Sequence, residues 1–126
     1  MKSIHTDNAP KAVGPYSQAI AAGDFLFCSG QLGIDPVSGQ LVAGGVTEQA
    51  TQVLKNLEAL LKAGGASFAS VVKSEVFLKN MSDFTAMNEV YASFFTSEPK
   101  PARVTVEVAR LPKDALVEIA CVAHLK

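Results

Sequence analysis

At 126 residues, 48 % hydrophobic and 18 % charged, the chain suits a single domain over residues 1–126 and excludes both a disordered chain and two ordinary domains. Its formal net charge of -1, with no two basic residues adjacent, excludes attraction to a phosphate backbone or anionic lipid as its organising feature. MKSIHTDNAP has no apolar core of signal-peptide type, and no apolar run approaches the ~20 residues of a membrane span, so a soluble, cytoplasmic protein is expected.

The elements alternate in type along the chain. Tyr16 to Ala22 and Phe25 to Ser29 are short apolar runs separated by Gly23-Asp24, which predicts a hairpin. Gly33 to Gly39 is rich in turn formers, and a short extended piece is expected at Gln40 to Val42. Ala50, Val53, Leu54, Leu57, Leu60 and Leu61 recur at three- and four-residue steps and predict a helix. Thr47 is the expected cap at its start, and Gly64-Gly65 ends it.

Val71 to Leu78 reads as a strand. Ser82 and Asp83 open a second helix with a stripe of Phe84, Met87, Val90, Tyr91, Phe94 and Phe95, most simply a core face. Asn88 lies on the edge of that stripe. Pro99 and Pro101 end the helix. Arg103 to Ala109 and Leu116 to His124 are the last two strands, joined by Leu111 to Ala115. The order ββ(β)αβαββ implies an α+β domain, a mixed sheet with two helices on one face. No third amphipathic helix exists for the other face. The last strand is apolar on both parities, so the sheet is expected to be covered by other copies of the chain in a closed homo-oligomer.

Familiar catalytic signatures are absent: no GxGxxG, GxxxxGK[ST], GxSxG or HExxH. Cys28 and Cys121 sit in strand-like runs and read as reduced core thiols. His5 and His124 have no ligand spacing, so no metal site is expected. What remains is polar residues in apolar surroundings. Tyr16 follows Gly14-Pro15, Ser29 and Gly30 end a strand, Arg103 begins one, and Glu118 interrupts the last. A carboxylate there must be ion-paired, with Arg103 or Arg110 as candidates, or stand at an edge or an open site. If the last two strands form a hairpin about Lys113-Asp114, Glu118 lies opposite about Ala109 and Arg103 falls roughly 20 Å away. Arg103 and Glu118 would then meet only across a subunit contact.

GPYSQA at Gly14 to Ala19, SGQLGIDPVSG at Ser29 to Gly39 and PARVTVEVARLPKDALVEI at Pro101 to Ile119 resemble the Rid family, the RidA/YjgF group of enamine/imine deaminases once described as endoribonucleases or translation inhibitors. The resemblance implies a fold like the small trimeric chorismate mutase, three subunits packed sheet to sheet with clefts between them, and no cofactor or metal. It implies substrates such as 2-aminoacrylate, released by pyridoxal-phosphate-dependent dehydratases and hydrolysed to a 2-keto acid and ammonia. By position it makes Arg103 the carboxylate anchor, Glu118 the proton handler and Tyr16 a cleft residue. Ser29 and Gly30 contribute a hydroxyl and an N–H, and Thr105 keeps its backbone N–H in the cleft; Asn88, from its place at the stripe's edge, is either an amide satisfied within the fold or a contact to the substrate.

Three positions depart from the family pattern: Thr105 and Ala120 stand where a cysteine and an acid are common, and Lys100 where an aromatic is. Two other readings share the residues: a non-catalytic carrier or sensor of 2-keto acids, and an endoribonuclease or translation inhibitor, which the charge of -1 disfavours.

Overall fold

Turn chemistry makes the N-terminal hairpin in the computed structural model, which describes every residue from Met1 to Lys126. β2 (Ala19–Ala22) and β3 (Phe25–Gln31) pair antiparallel across Gly23, whose φ of 58° suits the tight turn. Tyr16 precedes β2 rather than beginning it. A strand not expected from the sequence, β1 (Lys2–Ile4), adds to the outer edge of β2. The extended piece at 40–42 is only a bridge from Leu41 to Ile34.

α1 (Val46–Ala63) buries the whole predicted stripe from Ala50 to Leu61. Each fully buried leucine there contributes roughly 2 kcal/mol of transfer free energy. The cap is two residues earlier than Thr47. Gly45 is the N-cap, and its N–H donates to Glu48 Oε1 at 2.8 Å. Gly64 and Gly65 stop the helix as expected. β4 (Val71–Leu78) then leads through a 3-10 turn at Met81–Asp83 into α2 (Phe84–Phe94), which buries Met87 and Tyr91.

The expected hairpin between the last two strands does not form. β5 (Ala102–Glu107) pairs parallel to β4, and β6 (Val117–His124) inserts between β3 and β4, antiparallel to both. The sheet order is β1-β2-β3-β6-β4-β5. The physical reason is the β4–α2–β5 crossover: a strand returning through a helix pairs parallel with the strand it left. β6 is thereby central, which explains its apolar character on both parities.

Both helices lie on one face. Val117, Ile119, Cys121 and Ala123 of β6 point into that core, with Leu26, Val76 and Leu78. Cys28 and Cys121 are free, buried and opposite one another. The other face is uncovered. Phe25, Phe27, Val104 and Val106 remain between 38 % and 47 % exposed there. No helix is long and apolar enough to cross a membrane.

Candidate functional site

Ser29 and Gly30 occupy a break in the sheet ladder. Cys28 pairs with Cys121 but Gln31 pairs with Ile119, so three steps on β3 oppose two on β6. Such a bulge re-aims side chains and frees backbone groups. Ser29 Oγ donates to the Ser17 carbonyl at 2.6 Å, and the Ser29 N–H donates to the Gln18 carbonyl at 3.0 Å. Gly30 lies against Glu118, and a Cβ at this position would overlap the carboxylate. Tyr16, 54 % exposed, stands across from them, its hydroxyl accepting the Val13 N–H at 3.3 Å. Tyr16, Ser29, Gly30 and Glu118 thus share one cavity of about 530 Å³.

Glu118 is half-buried on the uncovered side of β6, in register with Phe77. It has no ion-pair partner: Arg110 is engaged by Asp114 and Arg103 hydrogen-bonds Asn88. Burial alone raises its carboxyl above the ordinary range, because the ionised form loses hydration. Below the ordinary value of 4.5 the group is neutral whether the chain is folded or not. Between that value and its own higher one, the folded chain keeps a proton that the unfolded chain has lost, so stability falls as pH rises through this window. Glu118→Gln is therefore expected to gain stability relative to wild type as pH climbs from about 4 to about 8 in urea titrations. A constant difference over that range would contradict this.

Arg103 lies in a different place. It is in register with buried Ser74, so it projects from the helix-covered side of β5, while Val104 and Val106 face the open side. Nη1 donates to Asn88 Oδ1 at 2.7 Å, and the guanidinium carbon stacks 4.7 Å over the Tyr91 ring. Tyr91 is itself held by Phe95, stacked at 4.2 Å, and by a 2.6 Å hydroxyl contact to Ser74. The arginine is exposed, pinned on one nitrogen, and without an acidic partner. Arg103, Asn88, Tyr91 and Lys100 line a second cavity of about 430 Å³.

The seven residues read from the sequence thus divide. Four meet around Glu118, while Arg103 and Asn88 meet elsewhere. From the strand register, Arg103 and Glu118 are about 14 Å apart within one chain. Thr105 lines neither cavity; its hydroxyl is the one buried side-chain polar atom without a hydrogen-bond partner. A larger depression of about 710 Å³, beside Lys55 and Phe68, holds none of the seven.

Sequence reading missed the residues that hold the site. Gln18 is 3 % exposed; its Nε2 donates to the Pro10 carbonyl at 2.8 Å, and its Oε1 accepts the Thr6 N–H at 2.8 Å. Asn56, 1 % exposed on α1, donates to the carbonyls of Leu32 and Ile34 at 3.1 and 2.9 Å. Gln49 accepts the Leu116 N–H at 2.9 Å. The available signal was that Gln49 and Asn56 flank the apolar stripe of α1, where an amide needs a partner. Asn56→Ala strands two carbonyls and is expected to cost about 2–4 kcal/mol, read as a lowered urea midpoint. A cost below about 1 kcal/mol would show that the loop keeps its carbonyls paired some other way.

With this geometry in view, comparison with known proteins assigns the chain. Residues 6–125 match the endoribonuclease L-PSP family. A RutC family protein of Pyrococcus horikoshii is 57 % identical over 121 residues, covering 96 % of this chain and 95 % of that one. The 2-iminobutanoate/2-iminopropanoate deaminase of Mus musculus is 50 % identical, covering 97 % and 90 %. Among solved structures, E. coli TdcF with bound serine superposes with a TM-score of 0.92 at 40 % identity, covering 98 % of each chain. The chain belongs to the endoribonuclease L-PSP family, the RidA/YjgF group that the motifs around Tyr16, Ser29, Arg103 and Glu118 resemble.

Proposed function

We propose that this protein is a cofactor-independent deaminase of reactive enamines and imines, hydrolysing species such as 2-aminoacrylate, 2-iminopropanoate and 2-iminobutanoate to 2-keto acids and ammonia. The observation that carries the reading is the division of labour between two cavities. One holds an acid with a raised pKa, the other a fixed guanidinium with free N–H groups. A homotrimer packed through the uncovered sheet face joins Arg103 of one subunit to the Glu118 cavity of the next. The names borne by similar proteins support the reaction class, and the serine bound by TdcF is a small molecule with a carboxylate.

The chemistry follows from the residue types. Arg103 takes the substrate carboxylate in two parallel N–H···O bonds through its planar fork. An enamine first gains a proton on its terminal carbon and gives one up from nitrogen, becoming the imine. Protonated Glu118 donates to the imine nitrogen, water adds to C2, and Glu118 recovers a proton from that water. A second transfer from Glu118 makes ammonia the leaving group, and the C2 hydroxyl becomes the carbonyl as it returns its proton to Glu118. Imines hydrolyse in water unaided, so positioning supplies most of the rate.

The test couples the protein to a pyridoxal-phosphate-dependent dehydratase acting on serine. Pyruvate and ammonia are expected to appear faster when the protein is added. No acceleration, together with calorimetric binding of pyruvate, would replace this reading with that of a keto-acid carrier.

A further inference from the structure

The loop between β5 and β6 holds the only non-glycine residues with left-handed backbone. Lys113 has φ 58° and Asp114 has φ 55°. Each such residue costs on the order of 1 kcal/mol, and the conformation persists only where its surroundings hold it. The restraints are visible. Arg110 donates to the Asp114 carboxylate through Nε at 2.7 Å and Nη2 at 3.3 Å. Leu111 and Ala115 are buried on either side. The Asp114 N–H donates to the Leu111 carbonyl and the Ala115 N–H to the Pro112 carbonyl, both at 3.1 Å. Lys79 Nζ fastens the approach, donating to the Ala109 carbonyl at 2.6 Å.

This held turn stands at the wall of the Glu118 cavity, which Pro112 and Lys113 line together with Lys11. The chain's ion pairs are His5–Asp7, Lys100–Glu98, Arg110–Asp114 and Lys126–Asp24, so neither Lys11 nor Lys113 is neutralised. Glu118 is the only acid on the cavity wall. A substrate that carries a carboxylate must approach this acid, and ionised Glu118 repels it. Two unpaired lysines and a single acid give the cavity lining a net positive charge, which favours the entry of an anion.

We propose that Lys113, presented by the held turn, is a positioning and specificity-determining residue that draws carboxylate-bearing substrates into the Glu118 cavity. The proposal rests on the deaminase reading for its substrate class. Lys113 acts on entry and leaves the proton transfers to Glu118. Its effect belongs in KM and in the dependence on salt, and it favours anionic imines over their neutral ester or amide analogues.

The experiment compares wild type, Lys113→Met, Lys113→Arg and Asp114→Gly in the coupled dehydratase assay at low and high ionic strength. Binding of 2-ketobutyrate is measured by calorimetry under the same conditions. Lys113→Met is expected to lose about fivefold in kcat/KM at low salt, through KM, with the gap closing near ~0.5 M salt. Lys113→Arg restores the wild-type value. Asp114→Gly, which relaxes the turn while keeping the lysine, shows a smaller loss of the same salt dependence. A Lys113→Met protein equal to wild type at low salt overturns the proposal, as does a loss that persists at high salt or falls on kcat. An Asp114→Gly protein equal to wild type overturns the role of the turn. If wild type binds 2-ketobutyrate without accelerating imine hydrolysis, the deaminase reading fails while the binding comparison still decides Lys113.

Discussion

Arg103→Ala is expected to bring imine hydrolysis close to the uncatalysed rate, a loss of about a hundredfold or more in kcat/KM. The guanidinium is the only group of its kind beside the Asn88 cavity, and one hydrogen bond to Asn88 leaves most of its donors free. Truncation removes a charge-assisted, bidentate grip that water cannot replace. Arg103→Lys keeps the charge but not the planar fork or the stack on Tyr91, and is expected to recover about a tenth of the lost efficiency at best. Neither change should unfold the protein, because Arg103 is exposed and buries no charge. Full activity in a folded Arg103→Ala protein would remove the anchor from the mechanism.

Glu118→Gln is expected to lower kcat by about 10²- to 10⁴-fold while leaving carboxylate binding almost intact. The amide fills the same space beside Gly30 and cannot exchange a proton. Gly30→Ala should act on the same step from the other side, since a methyl group there displaces the carboxylate. The raised pKa of Glu118 gives the pH profile a sign. Donation to the imine nitrogen needs the protonated acid, so the rate should decline above Glu118's own pKa, which lies above the ordinary carboxylate range. A Glu118→Gln protein with wild-type kcat, or a profile without that limb, would assign proton transfer to another group.

How far the sequence carried the reading depends on whether a feature was local. The α1 stripe follows from a period of 3.6 and the Gly23-Asp24 turn from local turn chemistry, and both hold. The pairing of the last strands did not hold. Neighbours in sequence are the default partners, but β5 already belongs to the β4–α2–β5 crossover and β6 is drawn to the sheet centre. The separation of Arg103 from Glu118 within one chain survives that correction for a different reason: two strand spacings and opposite faces. The partners of Gln18, Gln49 and Asn56 were illegible because they are backbone groups of other segments, brought to the amides only by tertiary structure. A turn at Lys113-Asp114 was legible, but not its two consecutive left-handed residues, a conformation that Asp visits at times and Lys rarely.

Mixing Arg103→Ala with Glu118→Gln tests most directly whether one site is assembled from two subunits. Each variant alone is expected to be nearly inactive. Unfolded together and refolded as mixed trimers, about one cleft in four pairs an intact Arg103 with an intact Glu118, so about a quarter of wild-type activity should return. Mixtures that form hetero-oligomers yet stay as inactive as the separate variants would contradict a site shared between subunits.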